Sequence, residues 1–292
     1  QEGVGSMQTK TEVYRRRLRF QCMIFCALLL VGCAGIHVLG MLPPDGNGAA
    51  YGKADFPTLE SCEQTVEKLP ILPGEPEETE LFVIRSGQPG PCIFVVGGIH
   101  GDEAAGWMAA ERLQNQAVLA SGTLCILSPA NRTGAQALKR YVVNSGDLNR
   151  AFPGEDSADD PAMRLAASIF HMIGEWKPNL VLDLHESKNP LGAGGLGYSL
   201  IFSDDELTGD LIWEFLLSNE EGGVCRNNFG TAFPGVSRSL NRVVTEQLKY
   251  PVITVETLRS DDLEERISEQ LSIVGFFLDY FGMGEVKEAE EK

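Results

Sequence analysis

The most informative stretch of this chain is IFVVGGIHGDE, residues 93–103. Its first four residues are β-branched or aromatic, and a short apolar run of this kind predicts a buried strand. Two glycines follow, and His100 and Glu103 then stand three residues apart, where the strand would turn into a helix over residues 104–117. A strand, a turn with polar side chains and a helix form the repeating unit of α/β proteins.

Two more apolar runs end in polar residues of the same kind. His185 follows the run at 181–184, and Glu256 follows the run at 252–255. Functional groups gather at the carboxyl ends of strands in open α/β sheets, so we expect these side chains to converge. His100, Glu103 and His185 form the ligand set of a catalytic zinc, with a position left for water. Glu256 is then the candidate general base.

The remaining periodicity predicts a mixed sheet flanked by helices. The predicted strands cover residues 81–85, 92–97, 123–128, 180–184, 200–202 and 252–255, and the predicted helices cover residues 103–118, 158–176, 205–218, 240–248 and 262–283.

A polar, turn-rich fragment, DLNRAFPG at residues 147–154, lies between the two histidine segments. Arg150 offers a planar guanidinium suited to a substrate carboxylate, and Asn149 adds an amide beside it. Asp147 is placed to hydrogen-bond the outer nitrogen of a zinc-bound histidine, His100 being the best candidate. Arg140 is a candidate for stabilising a developing oxyanion.

The order His-x-x-Glu, Asp-Leu-Asn-Arg-x-Phe-Pro-Gly, Asp-Leu-His and a Glu after an apolar strand resembles the succinylglutamate desuccinylase/aspartoacylase family, a branch of the zinc carboxypeptidase-like fold. The similarity runs from about residue 77 to 281. It implies zinc ligands at His100, Glu103 and His185, a base at Glu256 and a carboxylate-binding pair at Asn149 and Arg150. The arginine that stabilises the transition state in this family aligns with Arg140, or with Arg132 if the intervening loop is aligned differently.

The two ends of the chain depart from that family. Only a predicted helix and an acidic tail, residues 285–292, follow the catalytic glutamate, where relatives usually carry a β-rich domain that narrows the cleft. At the other end, a basic segment, residues 1–19, precedes residues 20–42, which contain no Lys, Arg, Asp or Glu. An apolar run of about 20 residues can span a bilayer, and basic residues before it favour a cytoplasmic N-terminus.

Three interpretations of residues 20–42 stay open: a transmembrane helix, a lipoprotein signal with Cys33 as the lipidated residue, and a cleaved secretory signal. The first two place a membrane-anchored catalytic domain outside the cytoplasm. We expect a linker and entry segment over residues 43–76 and the catalytic domain over residues 77–284.

Composition limits the partners. The formal net charge is −17, which argues against nucleic acid or anionic lipid as a ligand of the catalytic domain. Arg140 and Arg150 would form a local positive region in this acidic protein, which suits a small carboxylate-bearing amide or peptide better than a polyanion. Four cysteines lie beyond the apolar segment, Cys62, Cys92, Cys125 and Cys225, and no disulfide is predicted among them.

The favoured function is zinc-dependent hydrolysis of an amide beside a carboxylate, in an N-acyl amino acid. One alternative is a membrane-anchored zinc carboxypeptidase acting on cell-envelope or extracellular peptides. Another is a catalytically silent binding domain, although the intact ligand set and Glu256 count against it.

Two further charged residues lie near these motifs. Strand alternation turns Glu186 away from His185. Arg259 is placed to reach either substrate or surface.

Overall fold

A computed structural model describes residues 64–203 and 206–287. Its main sheet has eight strands in the order β1-β2-β5-β3-β6-β9-β7-β8, and a small second sheet pairs β4 with β10. The strands are β1 (Thr65–Ile71), β2 (Thr79–Arg85), β3 (Cys92–Gly97), β4 (Ala117–Leu119), β5 (Thr123–Leu127), β6 (Leu180–Ser187), β7 (Ser199–Phe202), β8 (Gly230–Ala232), β9 (Val252–Leu258) and β10 (Gly284–Val286).

Four neighbouring strands, β5, β3, β6 and β9, run parallel at the centre of the main sheet. Antiparallel pairing then adds β2 and β1 on one side and β7 on the other, with β8 parallel to β7 at the edge. The mixed sheet expected from the sequence is confirmed. Its parallel centre brings the carboxyl ends of β3, β6 and β9 to the same edge.

Helices cover both faces of the sheet. They are α1 (Ala104–Gln116), α2 (Arg132–Ala137), α3 (Pro161–Trp176), α4 (Glu206–Gly222), α5 (Leu240–Val243) and α6 (Leu263–Tyr280). Buried residues of α1, α4 and α6 pack in one core, and those of α3 and α5 in another. Alternate residues of β3 enter different cores, Ile93 with the first and Phe94 with the second. A strand buried on both faces explains the uninterrupted apolar run.

Several predicted boundaries are wrong by a few residues. The helix predicted over residues 240–248 is regular only through α5 and continues as a wider turn, Val244–Leu248. The predicted start of α3 is corrected to Pro161, because the Asp160 side chain accepts a hydrogen bond from Ala162 N and proline occupies the first turn. The sixth helix ends at Tyr280, and Glu285 of the predicted acidic tail lies within β10.

Some of the expectations concern residues that the structure does not describe. The basic N-terminus, the apolar segment over residues 20–42, Cys33 and Cys62 lie outside the described residues. Within the described ranges, no helix is long and apolar enough to cross a membrane. Cys92, Cys125 and Cys225 are free thiols.

Candidate active site

The sheet brings the predicted ligands and base together at one edge. His100 lies in the turn after β3, and Glu103 is the residue immediately before α1. His185 and Glu256 lie inside their strands, since β6 continues to Ser187 and β9 to Leu258. They are direct neighbours in the parallel pairing of β6 with β9. The sequence therefore located these residues correctly but ended their strands too early.

His100, Glu103 and His185 form a compact buried cluster whose ligand atoms all lie within 4.8 Å of one another. Glu103 Oε1 lies 2.8 Å from His100 Nδ1, and Glu103 Oε2 lies 2.7 Å from His185 Nδ1. The two Nδ1 atoms are 3.1 Å apart. Two imidazole nitrogens and a carboxylate converging on one point fit zinc, which binds both ligand types.

The groups of the cluster shift each other's pKa values in opposite directions, downward for Glu103 and upward for His185. Burial favours the neutral form of Glu103, but the two neighbouring imidazoles outweigh it and hold the pKa of Glu103 well below its usual range. Burial also opposes the charge on His185, yet Asp183 and Glu103 raise the pKa of His185 well above its usual range. Before any metal binds, the site therefore favours a negative carboxylate beside a protonated imidazole.

Glu256 has the opposite electrostatic environment. Its residue surface is only 8% exposed, and burial raises its pKa to about 8, with Glu103 and Asp183 adding repulsion and His185 opposing them. A carboxyl group whose pKa lies near neutrality can both accept and return a proton, as a general base requires.

Asp147 connects the cluster to Arg140. Asp147 Oδ1 lies 3.1 Å from His100 Nε2, and Arg140 Nε donates to Asp147 Oδ2 at 3.1 Å. A further Arg140 nitrogen, Nη1, lies 3.4 Å from Glu103 Oε1. Burial would raise the pKa of Asp147, but the hydrogen bond and charge of His100, together with both nearby arginines, lower it. Arg132, the alternative candidate for the transition-state arginine, instead donates to the carbonyl of Glu78.

Asn149 and Arg150 occupy a short helical turn, Leu148–Arg150. Asn149 Oδ1 accepts from the backbone N–H of Leu240 at 2.9 Å, which leaves the amide NH₂ available to donate to a ligand. Arg150 is exposed, and its Nη1 donates to the carbonyl of Asn149 at 2.7 Å. Within the described ranges, no carboxylate forms an ion pair with Arg150, so its guanidinium is available to donate hydrogen bonds to a ligand.

One cavity of about 380 Å³ is lined by the three candidate ligands, Glu256, Arg140, Asn149 and Arg150. Its polar wall includes Arg140, Asn149 and Arg150 beside the metal-ligand cluster, and Leu196, Ile201 and Val236 add apolar surface. The volume suits a small molecule or the end of a peptide.

The sequence did not single out Asp183, which is fully buried on β6. Its Oδ1 lies 3.0 Å from His185 Nε2, and its Oδ2 accepts from Thr254 Oγ1 at 3.3 Å. Asp183 and His185 are two apart on one strand and therefore share a face, a signal available in the sequence. Arg259, ambiguous in the sequence, contacts Asp102 Oδ2 at 2.9 Å and Glu103 Oε1 at 3.2 Å.

Comparison with known proteins agrees with this geometry. Residues 89–194, which include all three candidate metal ligands, match the succinylglutamate desuccinylase/aspartoacylase catalytic domain. The resemblance to this family is confirmed. The chain is also 30% identical over 127 residues to N-alpha-acetyl-L-2,4-diaminobutyric acid deacetylase of Halomonas elongata. That match covers 42% of this chain and 36% of the deacetylase, so the chain spans about a third of this relative.

Solved structures share the fold. A succinylglutamate desuccinylase/aspartoacylase from Rhodobacter sphaeroides aligns with a TM-score of 0.57 and 18% identity, over 77% of this chain and 67% of that one. The tripeptide-bound cell shape determinant Csd4 of Helicobacter pylori aligns with a TM-score of 0.63 and 17% identity, over 73% and 58%. The sheet and its helices therefore share the fold of these proteins.

Proposed function

We propose that this protein is a zinc-dependent hydrolase that cleaves an amide bond next to a free carboxylate, in the manner of an N-acyl amino acid deacylase. The observation that carries the proposal is the buried cluster of His100, Glu103 and His185 with Glu256 in the same cavity. The match to the desuccinylase/aspartoacylase catalytic domain and to a deacetylase supports it.

Each side chain has a chemical task in this proposal. Bound zinc supplies a Lewis acid that polarises a carbonyl and makes water a better nucleophile near neutral pH. Glu256 accepts the proton of the attacking water and passes it to the leaving nitrogen. Arg140 is placed to stabilise the oxyanion that forms on the carbonyl oxygen.

The remaining polar groups orient substrate and ligands. Arg150 and the amide NH₂ of Asn149 bind the substrate carboxylate at the polar wall of the cavity. Asp147 hydrogen-bonds the outer nitrogen of His100 and orients that ring, and the carboxylate of Asp183 lies close to the outer nitrogen of His185. An intact ligand set with an intact base is the reason to prefer an enzyme over a silent binding domain.

A carboxypeptidase is the second candidate. The apolar surface of Leu196, Ile201 and Val236 beside the carboxylate-binding wall would accommodate the terminal side chain of a peptide. Csd4, described as a D,L-carboxypeptidase, has the same fold. Activity of the purified protein with zinc on a panel of N-acyl amino acids and C-terminal peptides separates the two functions. No turnover of either class would leave the binding domain as the better explanation.

The metal can be tested separately from activity. We expect about one zinc per chain, removable by a chelator with loss of turnover. The double variant His100→Ala, His185→Ala should lose the metal, as measured by elemental analysis of the purified protein. Unchanged zinc content would show that the metal lies elsewhere.

Location is a further proposal. We propose that residues 20–42 hold the protein on a membrane with the catalytic domain outside the cytoplasm, because this run lacks charged residues and follows a basic segment. Cell fractionation with and without residues 1–42 tests it. An equal distribution of both forms in the soluble fraction would contradict an anchor.

A further inference from the structure

The first turn of α1 is capped in an unusual way. Glu103 occupies the N-cap position, yet its side chain makes no hydrogen bond to the helix it precedes. Both of its oxygens instead face the imidazoles of His100 and His185. N-cap side chains normally accept a hydrogen bond from the second or third backbone N–H of the helix. Capping and metal binding therefore compete for one carboxylate.

Glu186 supplies the missing cap from another element. Its Oε2 accepts a hydrogen bond from the N–H of Ala105 at 3.0 Å, and Ala105 is the second residue of α1. The backbone N–H of Glu186 also donates to Glu103 Oε2 at 3.1 Å. Glu186 thus caps the helix with its side chain and, through its backbone N–H, holds the Glu103 carboxylate towards His100 and His185.

The charge of Glu186 is neutralised where it lies. Glu186 is buried, and its Oε1 pairs with the guanidinium of Arg266 on α6. Arg266 is itself fixed by the carbonyl of Asp261, to which its Nε donates at 3.1 Å. A negative carboxylate at the start of a helix is also favoured by the helix dipole.

We propose that Glu186 is a positioning residue that caps α1 in place of Glu103 and so keeps the Glu103 carboxylate available to a metal. The inference rests on the metal site of the proposed function. Without Glu186, the N–H of Ala105 would be buried without a partner, which is costly. Glu103, at the N-cap position, is the carboxylate placed to replace it, and capping would rotate it away from His100 and His185.

Two substitutions separate capping from ion pairing. Glu186→Gln and Glu186→Ala both remove the charge that pairs with Arg266, but glutamine retains an acceptor for Ala105 N–H. We expect the alanine variant to bind zinc about 10–100-fold more weakly, the usual effect of losing a group that orients a ligand. The glutamine variant should stay within a few-fold of the wild type. Competition with a chromophoric chelator measures the dissociation constant on the full chain.

Controls keep the inference falsifiable. Glu186→Met fills the same space without an acceptor and replaces the alanine variant if that variant does not fold. Asp160→Ala removes the cap of α3, far along the chain, and should lower the melting temperature without changing zinc affinity. Equal zinc affinity in the glutamine and alanine variants would overturn the inference. A wild-type chain that binds no zinc would overturn the proposed function itself, and this inference with it.

Discussion

Two buried carboxylates in one cavity have opposite electrostatic properties. Neighbouring imidazoles lower the pKa of Glu103 despite its burial, whereas burial raises the pKa of Glu256 to about 8. A permanently charged carboxylate suits a metal ligand, and one that exchanges a proton near neutrality suits a base. The difference in environment therefore supports different roles for two residues of the same type.

Glu256→Gln tests the base directly. The variant should keep the fold and the metal, because Glu256 is not part of the ligand cluster. Turnover should fall by about two orders of magnitude or more, the scale of a lost general base. Steady-state kinetics and metal analysis on the same preparation provide the measurement. Near-normal turnover with zinc bound would assign the proton transfer to another group.

Arg150→Lys tests carboxylate recognition. A lysine cannot reproduce the bidentate geometry of the guanidinium. The transition-state stabilisation that kcat/KM measures on the free-carboxylate substrate should therefore fall by about 1.5–3 kcal/mol. A substrate amidated at that carboxylate should be poor with the wild type, and the substitution should barely change it further. Equal losses on both substrates would indicate that Arg150 acts through the conformation of its loop.

At the scale of elements, the close contact between α1 and β6 fixes the distance between the candidate metal ligands Glu103 and His185. A Cβ at Gly106 would lie only 2.5 Å from the carbonyl oxygen of Leu184, the residue before His185. Glu103 precedes α1 by one residue, so any shift of the helix away from β6 also separates two ligands. Glycine at this position is therefore needed for packing rather than for a special backbone angle.

Gly106→Ala should consequently destabilise the protein. The clash with a backbone atom should outweigh the higher helix propensity of alanine, for a net loss of about 1–3 kcal/mol, and weaken metal binding. Gly209→Ala in α4 is the matched control, since no atom lies within 4 Å of the added Cβ. It should be neutral or stabilising by up to about 1 kcal/mol. Chemical denaturation of both variants measures the difference, and equal effects would remove the packing argument.

Much of the fold and the site was predictable because the central strands are apolar runs with polar residues at their ends. The edge strand β1 was missed as a strand, since its sequence TVEKLPI is mostly exposed and lacks a clear buried face. Three-residue strands such as β4 and β10 carry no periodicity to detect. The capping of α1 by Glu186 joins residues 81 positions apart, and only the folded arrangement reveals such a contact.

At the scale of the whole molecule, several buried ionisable groups make the stability of the metal-free protein depend on pH. Glu103 and Asp147 have lowered pKa values when folded. Their contribution is present above their unfolded pKa values and is lost as the pH falls through the folded ones. His185 has a raised pKa, so its contribution is present below its unfolded pKa and is lost as the pH rises.

Glu256 should contribute measurably to the pH dependence of stability between its unfolded and folded pKa values. Its pKa rises from 4.5 to about 8 on folding, so between these values the folded state keeps a proton that the unfolded chain releases. Stability should therefore fall with rising pH across this window, by up to about 1.4 kcal/mol per unit. Glu256→Gln should remove that share of the slope, as measured by denaturation with chelator between pH 5 and 8. The control variant Glu285→Gln, at an exposed position, should keep the pH dependence of the wild type. Parallel stability curves for the wild type and Glu256→Gln would mean that burial does not shift the pKa of Glu256.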